Sequence, residues 1–186
     1  MTSLVLIDIQ RGLQETEFYG TERNNPNAEE NCGKLLDYFR KRNWPVFHVK
    51  HNSTNLSSPL YPTKLGNDFH PAVQPLIFEP IFEKNVNNAF IGTGLEQGLR
   101  AKNIDKLVVV GLTIEHCVST SVRMASNLGF EVILVSDATA AFDKLGFDGR
   151  RYSAEVIFHT ELANLKDEFA TIKDTETLMN ELDNQD

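Results

Sequence analysis

The chain has 186 residues, 41% of them hydrophobic and 24% charged, and its formal net charge is -8. That length and apolar content suffice for one compact core, so a single domain over residues 1–186 is expected. Acidic residues spread along the chain exclude a basic footprint for nucleic acid or an anionic membrane surface, and no uncharged apolar run is long enough to span a bilayer.

The first residues, MTSLVLIDIQ, show no basic leader, and Asp8 interrupts the apolar run too early for a signal-peptide core. A cytoplasmic protein is the expectation. Residues 4–7 are wholly apolar, the pattern of a strand covered on both faces in a parallel sheet. Asp8 ends that strand, either as a carboxylate at the sheet edge where open α/β proteins place their chemistry or as a turn and capping residue. Residues 10–27 are polar and carry Gly12, Gly20 and Pro26, so they read as a loop. A helix is predicted over 28–42 with Leu35, Leu36 and Phe39 inward and Cys32 as an inert packing residue.

Residues 44–49 (WPVFHV) form a second predicted strand, with Pro45 at its start where a missing amide is tolerated. Residues 50–80 hold five of the seven prolines and are too irregular for a core element, which makes them a wall or lid over a site. His48, His51 and His70 raise the question of a metal. On a strand, however, positions three apart face opposite sides, and only Asp68 lies near them as a carboxylate, so no metal site is assigned. Residues 80–84 (PIFEK) make a third strand. It ends in Lys84, either a solvated surface charge or a partner for Asp8 at the same sheet edge.

The string GTGLEQG, residues 92–98, has the spacing Gly-x-Gly-x-x-x-Gly and does not follow directly on a strand, so it is not a dinucleotide fingerprint. Residues 107–110 are a buried strand ending at Gly111, and a helical pattern then opens just before Cys117 and closes at Gly129, with Val118, Val122, Ala125 and Leu128 on one face. Residues 131–136 are a fifth strand, followed by the small-residue run 137–141. A helix over 153–165 with Val156, Leu162 and Leu165 inward, a sixth strand over 169–172 and a helix over 175–182 complete the pattern. Residues 183–186 form a polar, frayed tail.

Alternating strands and helices predict a three-layer α/β/α fold with a mainly parallel sheet and right-handed crossovers. In such a sheet Asp8, Lys84 and the turn before Cys117 share the rim at the strand C-termini. A thiol in the first turn of a helix meets unpaired amides and the positive end of the dipole, which favour thiolate and can also receive an oxyanion. The other reading is a small buried hydrophobe. With Cys32 and Cys117 far apart in sequence there is no Cys-x-x-Cys pair, and reduced thiols are expected. Gln10, Asn88 and Phe90 follow the two charged residues closely enough to line a pocket, although Asn88 as a turn cap and Phe90 as core fit equally well.

Taken together, LVLIDIQ, FEKNVNNAFIGTGLE, VVVGLTIEHCVSTSVRMASNLGF and VSDATAAF resemble the isochorismatase-like cysteine hydrolases, the superfamily that includes nicotinamidases, N-carbamoylsarcosine amidohydrolases and streptothricin hydrolase. The resemblance implies a strand order 3-2-1-4-5-6 and a triad of Asp8, Lys84 and Cys117. It also implies a cis peptide between Leu112 and Thr113, an oxyanion hole made by the amides of Thr113 and Cys117, and Leu112 beside the substrate. The implied activity is hydrolysis of a carbon–nitrogen bond in a small amide or ureido compound, with no cofactor, by a homo-oligomer, dimer or tetramer.

Departures from the family pattern are Ile114 and Glu115 where many relatives have Thr and Asp, and Leu13 where many have Phe. HVKHNS stands where the nicotinamidase branch carries a metal-binding Asp-x-His, and SSPLYP with VSTSVRMASNLGF is most like the streptothricin-hydrolase branch. A thiol sensor or binding module on the same fold is the alternative from another class. A sensor needs Cys117 alone, whereas a hydrolase needs Asp8 and Lys84 as well.

Overall fold

The computed structural model describes residues 1–184, so part of the polar tail expected at 183–186 lies outside the described residues. Its strands are β1 (Thr2–Ile7), β2 (Val46–His51), β3 (Ile81–Lys84), β4 (Lys106–Leu112), β5 (Glu131–Ala140), β6 (Lys144–Leu145), β7 (Arg151–Tyr152) and β8 (Thr171–Lys173). Its α-helices are α1 (Thr16–Tyr19), α2 (Ala28–Lys41), α3 (Leu95–Ala101), α4 (Ser119–Asn127), α5 (Ala154–Leu165) and α6 (Thr175–Asp183). The main sheet runs β3-β2-β1-β4-β5-β8 with every pair parallel, the order that the resemblance implies. Winding reverses between β1 and β4, which opens a crevice at their C-terminal ends.

Period-two alternation within wholly apolar strands builds the two cores. Val5, Ile7, Leu107, Val109, Val132 and Leu134 point to one face, where Leu95, Leu99, Val118, Val122 and Phe158 cover them. Leu4, Leu6, Val108, Val110, Ile133 and Val135 point to the other, under Cys32, Leu35, Leu36, Phe39, Leu178 and Leu182. Each strand therefore loses apolar surface to water on both sides, which is why these segments read as continuous hydrophobic runs. Gly98 of α3 stands against Phe82, where an added Cβ would come within 3.0 Å of the ring. Gly98 thus serves a close helix–sheet approach, whereas Gly92 and Gly94 stand in open space at φ +71° and +76° in the turn before α3.

Two irregularities shape the rim of the crevice. Gly111 pairs with Ile7 at φ +132°, and a Cβ there would stand 2.0 Å from the Ile7 carbonyl oxygen, so only glycine lets β4 pass this close to the end of β1. Between β4 and β5 the register jumps from Val109↔Leu134 to Gly111↔Thr139, so β5 bulges and continues through the small-residue run. The bulge carbonyls are held from α2 and the turn before it. Asn25 donates to the Ser136 and Thr139 oxygens at 3.0 and 2.8 Å, Asn31 donates to Asp137 O at 2.9 Å, and the Cys32 thiol faces Ala138 O at 3.2 Å.

Several expected boundaries shift. The loop expected over 10–27 holds a 3-10 turn at Arg11–Gln14 and the helical turn α1. The antiparallel hairpin β6–β7 was not anticipated, since two-residue strands leave no periodicity, although Asp148-Gly149 with Gly149 at φ +76° is a turn signal. The strand expected sixth is therefore eighth in the chain. On α5 the inward residues are Ala154, Phe158 and Leu165, while Val156, expected inward, is exposed. No helix among the described residues is long and apolar enough to cross a membrane.

Candidate active site

Asp8 follows the last residue of β1 at φ 53°, a left-handed conformation that aspartate tolerates, and its amide donates to the Val49 carbonyl at 3.0 Å. The turn swings its carboxylate into the crevice beside the last residue of β3. There the Lys84 ammonium donates to Asp8 Oδ2 at 2.5 Å, and the two side chains are 0% and 1% exposed. Burial is the largest single influence and opposes the ammonium, but the Asp8 charge and hydrogen bond, together with Cys117, outweigh it and hold the Lys84 pKa above the ordinary lysine value. Asp8 Oδ1 is buried with no hydrogen-bond partner among the described residues.

After β4 the Leu112–Thr113 peptide is cis, and the chain enters a π-helical turn, Ile114–Val118, before α4. The Thr113 carbonyl accepts from the amides of His116 and Val118, both at 3.1 Å, and passes over the Cys117 amide between them. Cys117 therefore sits in a π turn that precedes α4, rather than in the first turn of an α-helix as expected. Its sulfur, an Asp8 carboxylate oxygen and a ring nitrogen of His51 all lie within 4.8 Å of one another. The thiol also faces Asn87 Oδ1 at 3.8 Å.

Here one expectation is corrected. Burial first, and the Asp8 charge second, push the Cys117 thiol well above its ordinary range, with Lys84 opposing. Both influences favour the neutral thiol in the free protein, against the helix-end field that favours thiolate.

Asp8, His51 and Cys117 are the donors a cation would find, but the position is already taken. The Lys84 Nζ, which has only protons to give, lies 2.5 Å from Asp8 Oδ2 and 3.1 Å from His51 Nδ1. A metal ion there meets a fixed ammonium, so the donor set does not fit one. His48 and His70 lie elsewhere: His48 is fully buried against Glu79 Oε2 at 2.8 Å, and His70 Nδ1 accepts the Ala72 amide at 3.3 Å.

The sulfur opens on a cavity of about 290 Å³. Leu112 and Thr113 line it, as expected, together with Leu13, Phe18, Tyr19, Asn87 and His116. The segment read as a wall supplies His51, Ser53, Asn55, Ser58 and Leu60.

Three expected pocket residues do not line it. Gln10 is fully buried and donates to the His51 and Asn67 carbonyls at 3.0 and 2.8 Å while accepting the His51 amide at 2.8 Å, so its amide ties the wall to β1 and has none left for substrate. Asn88 accepts the Phe90 amide at 2.9 Å as a turn cap, and Phe90 stacks on Phe130 in the core. The pocket residue of that segment is Asn87. The aromatic pair Phe18–Tyr19, ring centroids 4.9 Å apart, was hidden in a stretch read as loop, and its only sequence signal is two adjacent aromatics in a polar run.

With this geometry in place, the family model for the isochorismatase domain matches residues 2–177. The chain belongs to the isochorismatase family. An uncharacterized isochorismatase family protein of Bacillus subtilis, YrdC, is 41% identical over 179 residues, covering 96% of this chain and 95% of that one. The crystal structure of a putative hydrolase of the isochorismatase family from Chromobacterium violaceum matches with a TM-score of 0.94 and 39% identity, over 98% of this chain and 94% of that one. Nicotinamidase 3 of Arabidopsis thaliana is 27% identical over 79% of this chain and 75% of its own length. The protein is thus an isochorismatase-family hydrolase, and the family's relatives include amidases.

Proposed function

We propose that this chain is a cysteine-dependent amidohydrolase acting on a carbon–nitrogen bond of a small amide or ureido compound. The observation that carries the reading is the convergence of a buried carboxylate–ammonium pair and a thiol on one cavity, with the sulfur and an Asp8 oxygen within 4.8 Å. Asp8 accepts the Cys117 proton as substrate binds, and the sulfur attacks the carbonyl carbon. The carbonyl π electrons move to oxygen, and the amides of Thr113 and Cys117 receive that oxyanion, with about 3–4 kcal/mol expected from one good donor. Collapse breaks the C–N bond as Asp8 returns its proton to the leaving nitrogen, which departs as ammonia or an amine and leaves a thioester.

Water then attacks the thioester as Asp8 takes its proton, the C–S bond breaks, and Asp8 passes that proton to the leaving sulfur, which releases the acid and restores the carboxylate and the thiol. Lys84 keeps the charge of Asp8 balanced throughout and adds a positive field beside the sulfur. A redox sensor requires an accessible, readily ionised thiol, and the raised, partly buried Cys117 counts against that alternative.

A panel of primary amides and ureido compounds assayed for ammonia release, with mass spectrometry for an acyl adduct on Cys117, tests the scheme. Cys117→Ala, Asp8→Asn and Lys84→Met are each expected to abolish release. Undiminished turnover in any of them rejects it. A homo-oligomer is proposed as the working state, supported by the exposed apolar run of Ile77, Phe78 and Ile81 beside β3. Light scattering that returns only monomer rejects that part.

A further inference from the structure

We propose that the pocket selects uncharged amides and rejects substrates that carry a carboxylate or an ammonium group away from the reacting bond. For its chemistry this rests on the amidohydrolase reading, and it adds the class of substrate.

The argument comes from what the lining lacks. Asp8 is the only carboxylate that lines the wall among the described residues, and the Lys84 ammonium pairs with it at 2.5 Å. The rest of the lining is apolar (Leu13, Phe18, Leu60, Leu112) or neutral and polar (Ser53, Asn55, Ser58, Asn87). Its two histidines are both shifted towards the uncharged form, His51 by burial and by Lys84, His116 chiefly by burial. The His51 Nδ1 accepts from Lys84, so it is not free to carry a second proton at that nitrogen.

Charges behind the wall are paired as well. Arg23, whose Nη1 donates to the Leu13 carbonyl at 3.2 Å, holds Glu29 at 2.7 Å. Lys144, whose Nζ donates to the Tyr19 carbonyl at 3.1 Å, lies 3.3 Å from Glu115. Neither cation is available to a ligand anion. A carboxylate entering this cavity would lose water and gain no counter-ion, and an ammonium would fare no better. At about 290 Å³ the space is at the lower end of ligand pockets, roughly 300–1,000 Å³, so a small ligand fills it and meets this lining on most of its surface. A small amide with a flat or branched apolar body meets Leu13, Leu60 and the Phe18–Tyr19 pair instead.

The compounds 4-ethylbenzamide, 4-carboxybenzamide and 4-(aminomethyl)benzamide are close in size, differ chiefly in charge and test the inference directly. The neutral amide is expected to exceed each charged analogue by roughly 10- to 100-fold in kcat/KM, the range for a buried polar group left unpaired. Phe18, 44% exposed at the pocket wall, is the position at which to install charge. Phe18→Arg should shift the ratio at least about tenfold towards the carboxylate compound, and Phe18→Glu should shift it towards the ammonium compound.

Calorimetric binding of the same three compounds to wild type and to Cys117→Ala separates this inference from the chemistry. Preferential binding of 4-ethylbenzamide without turnover or adduct retires hydrolysis and leaves the selectivity standing. Turnover that is equal for, or favours, the carboxylate compound overturns the selectivity and leaves hydrolysis. Equal binding of all three, or none of any, also overturns the selectivity.

Discussion

Replacing Lys84 with methionine keeps the length of the side chain and removes its charge. In the wild type the ammonium sits 2.5 Å from Asp8 Oδ2 and 3.1 Å from His51 Nδ1, with both members of the ion pair essentially inaccessible to water. Asp8 Oδ1 has no partner among the described residues, so the substitution strips the carboxylate of the one contact that balances it. Breaking a buried pair from one side costs about 3–5 kcal/mol. For a chain of this size each kcal/mol is worth about 2–4 °C, so the melting temperature should fall by about 6–20 °C.

Urea denaturation of Lys84→Met, Asp8→Asn and the double variant forms a cycle that isolates the pair. The double variant buries no lone charge and should recover about half or more of the stability that Lys84→Met loses, while remaining inactive. A Lys84→Met protein within about 1 kcal/mol of wild type, or a double variant no more stable than that single one, would refute the buried ion pair and with it the electrostatics of the proposed site.

The raised Cys117 thiol predicts slow alkylation by iodoacetamide at neutral pH, with a rate still climbing above pH 9 because only the deprotonated fraction reacts; a rate that levels off below pH 7 would contradict it. Cys32, fully buried and also shifted up, should stay unmodified in the folded protein. Glu79 is burdened by burial, yet Arg40, the Leu76 amide and His48 hold its pKa at about 2 against an ordinary 4.5, so its share of stability is complete above that ordinary value and disappears as pH falls towards 2. Glu79→Gln should lose stability at pH 7 and lose less than wild type on acidification, as urea curves at both pH values would reveal. Gln10→Ala should loosen the wall more than the chemistry, raising KM with a smaller change in kcat; an unchanged KM would mean that the His51 and Asn67 carbonyls are held by other means.

What was legible in the chain follows from how each feature is encoded. Strands covered on both faces need continuous apolar runs, so β1, β4 and β5 stand out in the sequence, and the helices between them fix a parallel order. Asp8, Lys84 and Cys117 each follow or end an element whose direction is set by that order, which makes their meeting at one rim predictable without contacts. Gln10 and Asn88 were misread because a side-chain amide serves a backbone or a ligand equally well, and only the carbonyls of His51 and Asn67, remote in sequence, decide between them. Tyr19 lies in the same category. It stacks on Phe142 at 5.4 Å, a partner more than a hundred residues away, and no local pattern announces that pairing.

At Cys117 local and tertiary physics pull in opposite directions. A cysteine just ahead of a helix reads as an activated thiolate when only the helix-end field is considered. In the folded protein the same residue faces the Asp8 carboxylate inside a partly closed cavity, and both circumstances favour the neutral thiol. A resting thiolate would place two anions within 4.8 Å of each other against one ammonium. In the proposed scheme the sulfur therefore ionises by handing its proton to Asp8, which conserves the net charge of the triad. The trigger is a substrate carbonyl arriving at the turn where the Thr113 carbonyl leaves the Cys117 amide free of its own pull. Activation then depends on the ligand being present, which protects a nucleophilic cysteine from alkylation and oxidation in its absence.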